Sequence, residues 1–162
     1  MKFISVLVLL LITAVSIAFL SGCGCSPNAS DFIPKDDLPE GMTFVDSADT
    51  TDCSSYSGTI GENAVSFSQA IYECSQPGDA YAMVVECNDE EAAAIMLDFF
   101  DNDILDNSVY SKTQADISGN TAIEAFVSSP EEYVFLWQNG NFVFLVQGST
   151  RDEAFNLASS IK

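Results

Sequence analysis

The stretch Tyr133 to Ile161 reads YVFLWQNGNFVFLVQGSTRDEAFNLASSI, and the order of its signals decides the fold. Tyr133 to Trp137 is rich in aromatic and branched apolar residues, which predicts a strand. Asn139-Gly140 is the strongest short hairpin signal, because both central residues of such a turn take a positive φ. Phe142 to Val146 is the return strand. Thr150-Arg151-Asp152-Glu153 then has the form of a capping box, opening a helix from Asp152 to Ile161 with Ala154, Leu157, Ala158 and Ile161 inward.

The same succession stands earlier in the chain. Val65 to Cys74 (VSFSQAIYEC) and Tyr81 to Cys87 (YAMVVEC) flank Gln76-Pro77-Gly78-Asp79, a turn, so 65–87 is expected to be a hairpin. Asn88, with Glu91 three residues on, predicts a helix start, and the helix runs to about Phe100 with Ala92, Ile95 and Phe99 on its inner face. Residues 38–45 (LPEGMTFV) give a turn and a short strand, 47–63 a loop with some strand content, and 117–127 (ISGNTAIEAFV) one extra strand. Helices this short do not persist alone in water and must bury an apolar stripe. The expectation is a single α+β domain over 41–162: a two-layer antiparallel sheet with two helices packed on one face, built from two hairpin–helix units. Duplication and recurrence of a common unit both explain the two units.

The N-terminal end is of another kind. FISVLVLLLITAVSIAFL, Phe3 to Leu20, carries no charge and follows a single basic residue, Lys2. Leu20-Ser21-Gly22-Cys23 comes next. A basic start, an apolar run and small residues before a break form an export signal. Residues 1–23 resemble the lipoprotein signal of bacteria and archaea, whose lipobox is Leu, two small residues and Cys. The resemblance implies cleavage before Cys23, diacylglyceryl attachment to its sulfur, and a domain held at the cell membrane facing the extracytoplasmic side. An uncleaved membrane helix is the alternative: 18 residues at about 1.5 Å each barely match a hydrocarbon layer of about 30 Å.

Residues 1–22 are therefore expected to be a signal peptide. Residues 23–40, with three prolines and many small polar side chains, are expected to be a flexible tether. Asn28-Ala29-Ser30 within it is a glycosylation sequon, with Asn28 the acceptor.

The whole chain has 162 residues, with 5 Lys+Arg, 24 Asp+Glu and no His. Removing 1–22 takes away Lys2 alone, so the remainder carries 4 basic and 24 acidic residues, a net charge of −20. That excludes a nucleic-acid partner, which needs Lys and Arg to displace counterions. The lack of His removes the commonest general base and metal ligand. No Gly-x-Ser-x-Gly elbow and no phosphate-binding glycine loop occurs, so no cofactor is expected. Asp98, Asp101, Asp103 and Asp106 suggest a cation loop, but a 12-residue calcium loop begun at Asp101 would place Leu105 at a ligand position. No metal site is expected there beyond weak divalent-cation binding.

Cys53, Cys74 and Cys87 are disulfide candidates, since an exported protein meets an oxidising environment. Counting from a turn at Pro77-Gly78 sets Cys74 opposite Tyr81 and Cys87 opposite Ser68, too far apart for one bond. Cys53 then pairs with Cys74 or with Cys87. Tyr133, Phe135, Trp137, Phe142 and Phe144 form either core or an exposed binding patch, because both faces of that hairpin are apolar.

The segment Gly119 to Ile161 also resembles an uncharacterised membrane-anchored α+β domain family. The matching positions are Tyr133, Trp137, Asn139-Gly140, Phe142, Phe144, Gly148 and Leu157-Ala158. The resemblance implies architecture and location and brings no activity. The functional expectation is a non-enzymatic binding or accessory module of the cell envelope. The alternatives are an envelope enzyme using buried carboxylates and a cation-binding surface protein.

Overall fold

A computed structural model describes residues 27–75, 78–105, 109–128 and 131–162. The signal segment and Cys23 lie outside the described residues. Seven strands form one antiparallel sheet: β1 (Met42–Thr50), β2 (Ala64–Cys74), β3 (Asp79–Cys87), β4 (Val109–Ile117), β5 (Asn120–Ser128), β6 (Glu131–Asn139) and β7 (Phe142–Gly148). Their order is β1-β2-β3-β7-β6-β5-β4. Among the described residues three α-helices accompany them: α1 (Thr59–Asn63), α2 (Glu90–Phe99), continued by a π-helical turn over Phe100–Leu105, and α3 (Arg151–Ser160). The fold is α+β.

Local chemistry explains the elements. β6 and β7 meet through a two-residue turn with Asn139 facing Phe142 and Gly140 at φ 58°. β4 and β5 form a hairpin that turns at Ser118-Gly119, both at positive φ, where the Asp116 carboxylate accepts the Gly119 N–H at 3.0 Å. A single extra strand was expected there; the polar, alternating residues of 109–117 hid its partner. The capping box of α3 is present: Thr150 Oγ1 accepts the Glu153 N–H at 3.3 Å and Glu153 Oε2 accepts the Thr150 N–H at 3.0 Å. α2 begins one residue later than expected, capped by Asp89, whose Oδ1 accepts the Ala92 N–H at 2.8 Å. Its inner stripe is Ala92, Ala93, Met96 and Phe100, while Ile95 is 47% exposed.

The expected packing of both helices on one face is corrected. Successive residues of a strand point to opposite faces. Val84, Phe135, Trp137, Phe144 and Val146 pack with Ala154, Leu157, Ala158 and Ile161 of α3. Val85, Val134, Leu136 and Val143 pack with Ala92, Ala93 and Met96 of α2. The helices therefore cover opposite faces. The cause is in the central strands, which are apolar on both sides and need cover on both. The two hairpin–helix units consequently have opposite hands: rotating one onto the other about the sheet normal superposes strands but leaves the helices on opposite sides. That geometry favours recurrence of a common unit over duplication.

The tether also needs correction. From Ala29 the chain is folded: Ala29–Phe32 form a 3-10 turn, and Ala29 and Ile33 are buried with the α3-side core. The Phe32 ring lies 4.7 Å from that of Phe142 and 5.4 Å from that of Phe144. Tyr72 Oη donates to the Pro34 carbonyl at 3.0 Å. Among the described residues no helix is long and apolar enough to cross a membrane.

Candidate functional site

Cross-strand pairing carries across the sheet, with register shifts in β1, β2 and β4, and defines what each face offers. One row on the α2 face is Ala48, Gln69, Met83, Leu145, Leu136, Ile123 and Gln114. The next row on that face is Asp46, Ile71, Tyr81, Gln147, Val134, Ala125 and Lys112. α2 and its π-helical turn seal the Val134–Leu136 part. Over β2, β3 and β7 the cover thins: Ile71, Tyr81, Met83 and Leu145 are only half-buried.

Polar side chains interrupt this apolar surface where burial makes them costly. Among the described residues the buried polar or charged ones are Ser68, Gln69, Glu132 and Gln147, and all but Ser68 project to the α2 face. Gln147 Nε2 donates to Glu132 Oε2. Gln69 Nε2 reaches only the Met83 sulfur, at 3.9 Å, and its Oε1 is buried with no hydrogen-bond partner. An unpaired buried carbonyl oxygen keeps its desolvation penalty. Tyr81 faces Gln147, and its phenol is pushed up by burial first and then by the charges of Asp79 and Glu132. The chemistry on offer is an apolar platform with amide groups and one carboxylate set into it, suited to recognition.

The remaining sequence candidates are placed elsewhere. Phe135, Trp137, Phe142 and Phe144 are buried beneath α3 and the 3-10 turn, and the Trp137 and Phe144 rings stack at 4.9 Å. Tyr133 is half-buried at their margin. The exposed-patch reading is therefore corrected: these rings are core, because an N-terminal segment taken for a tether lies over them. Asn28 is exposed, with its N–H donating to Asp31 Oδ2 at 2.9 Å. Asp101 holds Lys112 Nζ at 2.6 Å, and Asp106 lies outside the described residues. Of the carboxylates on β2 and β3 that an enzyme of buried carboxylates could have used, Glu73 is exposed and Glu86 half-buried, the latter accepting from Ser66 Oγ at 2.7 Å. Glu132 is the only buried carboxylate among the described residues, so the converging buried pair that an acid–base enzyme of this kind needs is not assembled from them.

The hairpin register also differs from the expectation. Glu73 faces Asp79 and Ala64 faces Cys87, with a bulge between Ala64 and Ser66. Cys74 and Cys87 thus stand at opposite ends of the hairpin. Cys53, Cys74 and Cys87 carry free thiols in this structure.

Sequence reasoning missed Gln69, Glu132 and Gln147. The signal for the glutamines was present: Phe67-x-Gln69-x-Ile71 and Val143-x-Leu145-x-Gln147 each put an amide in apolar phase. Glu132 carried no such mark beside Glu131, which is exposed.

Fold and site together define an α+β domain with a partly open, amide-bearing sheet face. No family model matches the chain, and no curated protein sequence matches it. Among solved structures, a GTP-binding regulator from Thermotoga maritima is similar, with 14% identity, 76% of this chain and 77% of that chain covered, and a TM-score of 0.49. At that level its ligand does not transfer.

Proposed function

We propose that the chain is a membrane-anchored extracytoplasmic lipoprotein whose domain is a non-enzymatic binding or accessory module of the cell envelope. One observation carries the reading: a complete lipobox, Leu20-Ser21-Gly22-Cys23, stands six residues before Ala29, which is buried in the folded domain. Six extended residues span at most about 20 Å. A lipid on Cys23 would hold the sheet domain close to the bilayer, and the net charge of the mature chain would repel anionic headgroups. The half-open α2 face, with Gln69, Gln147 and Glu132 among apolar side chains, is the surface we assign to recognition.

The test is fractionation of cells expressing the full chain and its Cys23→Ser variant. The wild type is expected in membranes with a mass that fits loss of residues 1–22 and gain of lipid. The variant is expected in the soluble extracytoplasmic fraction. Membrane retention of the variant with its leader intact would support the uncleaved helix instead and overturn the lipid anchor.

A further inference from the structure

Two buried cysteines from separate elements lie at the same end of the β2–β3 hairpin. Cys53 belongs to the loop between β1 and α1, and Cys87 is the last residue of β3. Each is 1% exposed, and both lie in the core cluster under α2. The backbone fixes their approach. The Cys53 N–H donates to the Val65 carbonyl at 3.1 Å, Val65 is the bulged residue beside Ala64, and Ala64 faces Cys87 across the ladder. On its other side Cys87 is held by Asn141, which accepts its N–H at 2.8 Å and donates Nδ2 to its carbonyl at 3.2 Å.

Cys74 has no such partner. It faces Met42 at the far end of β2 and packs against the opposite core. Ten residues of strand, about 33 Å, separate it from Ala64.

We propose that Cys53 and Cys87 are joined by a disulfide in the exported protein, pinning the 51–58 loop to the end of the hairpin. The inference rests on the extracytoplasmic location proposed above, where a disulfide carrier is the oxidant. The thiolate of one cysteine attacks the carrier's disulfide and expels one carrier thiolate. The second cysteine, as thiolate, displaces the other carrier sulfur from the mixed disulfide. Two protein S–H bonds are lost, one S–S bond forms, and the carrier disulfide leaves as two thiols.

The thiols' electrostatics agree with this arrangement. Burial pushes Cys53 up to about 11 and Cys87 up to about 12, and the next contribution to the Cys87 shift is Cys53 itself. Held neutral in the closed core, they are poor nucleophiles. Exchange therefore belongs to the stage before the loop and α2 close over them.

The test is peptide mapping of the full chain isolated from membranes, denatured without reductant and alkylated. A Cys53 peptide linked to a Cys87 peptide, with Cys74 alkylated, is the expected result. Alkylation of both Cys53 and Cys87, or a bond from either to Cys74, would overturn the pairing. The Cys23→Ser chain separates this inference from the location: recovered outside the cytoplasm, it should carry the same link. Free thiols in that fraction would sink the disulfide and leave the location standing. Cytoplasmic recovery with both thiols free would sink both. Wild-type mapping decides the matter even where Cys53→Ser or Cys87→Ser fails to fold.

Discussion

Gln69 shows at the residue scale what separates this sheet face from an ordinary core. It sits 8% exposed between Phe67 and Ile71, in the phase where apolar residues belong, and its Oε1 has no partner. Nothing in the fold requires the amide. Leu has similar volume, carries no polar atom to desolvate and would pack against Met83. Gln69→Leu is therefore expected to raise stability by about 1 kcal/mol, within the roughly 1–3 kcal/mol that an unsatisfied buried polar group costs. Urea unfolding of the two proteins measures it, with the midpoint moving up and the slope unchanged. Loss of stability instead would show that the amide serves the fold and would remove it from the recognition surface. Gln69 and Gln147 were marked in the sequence as amides standing in the apolar phase of their strands. Glu132 was not, because its partner is Gln147 of a neighbouring strand, which pairs with Val134 and reaches Glu132 diagonally, a placement the sequence does not show.

At the scale of elements, what could be read was whatever local chemistry determines. The Thr150 box stands as read, and the hairpin turns where Asn139-Gly140 predicted it, one residue later than read, with Gly140 and Asn141 between the paired Asn139 and Phe142 and only Gly140 at positive φ. Failures came where the outcome is set by distant parts. α2 exposes Ile95 and buries Ala92, Ala93 and Met96, because small residues let it lie close on β3 and β7. α3 uses the same device: a Cβ on Gly148 would meet the Ala154 nitrogen at 2.8 Å. That the helices take opposite faces follows from Phe135 and Leu136 being apolar neighbours in one strand, a fact visible in the sequence but equally consistent with an exposed patch. α3 gives the test of local against tertiary support. Its cap satisfies N–H groups that no turn precedes to satisfy, so Thr150→Ala should cost about 1 kcal/mol. Thermal unfolding should show a lower midpoint with the same cooperativity. An unchanged midpoint would mean that Ala154, Leu157 and Ala158 hold the helix without help from its cap.

Over the whole molecule, charge is the largest property that the fold leaves unbalanced. Arg151 is engaged, with Nε at 2.7 Å and Nη2 at 2.8 Å from the Glu124 carboxylate while its guanidinium lies over Phe135 and Phe155. Lys112 meets Asp101, and Lys35 lies over Phe44 at 5.7 Å. Three of the four basic residues after Cys23 are engaged, which leaves most of the 24 acidic ones to repel each other. Folding brings them from an extended chain onto one compact surface, so their repulsion opposes the folded state more than the unfolded one. Screening should relieve it. Raising NaCl from about 0.01 M to about 0.1 M shortens the screening length from about 30 Å to about 10 Å, comparable with the spacing of surface charges. The unfolding midpoint of the Cys23→Ser protein is expected to climb by several degrees over that range and to flatten above it. Sodium and potassium chloride at equal ionic strength should give the same climb, because screening does not distinguish them. A rise produced by micromolar calcium at constant ionic strength would point instead to a discrete cation site among the carboxylates. A midpoint indifferent to all three salts would mean that the acidic groups lie too far apart in the folded domain for their repulsion to matter.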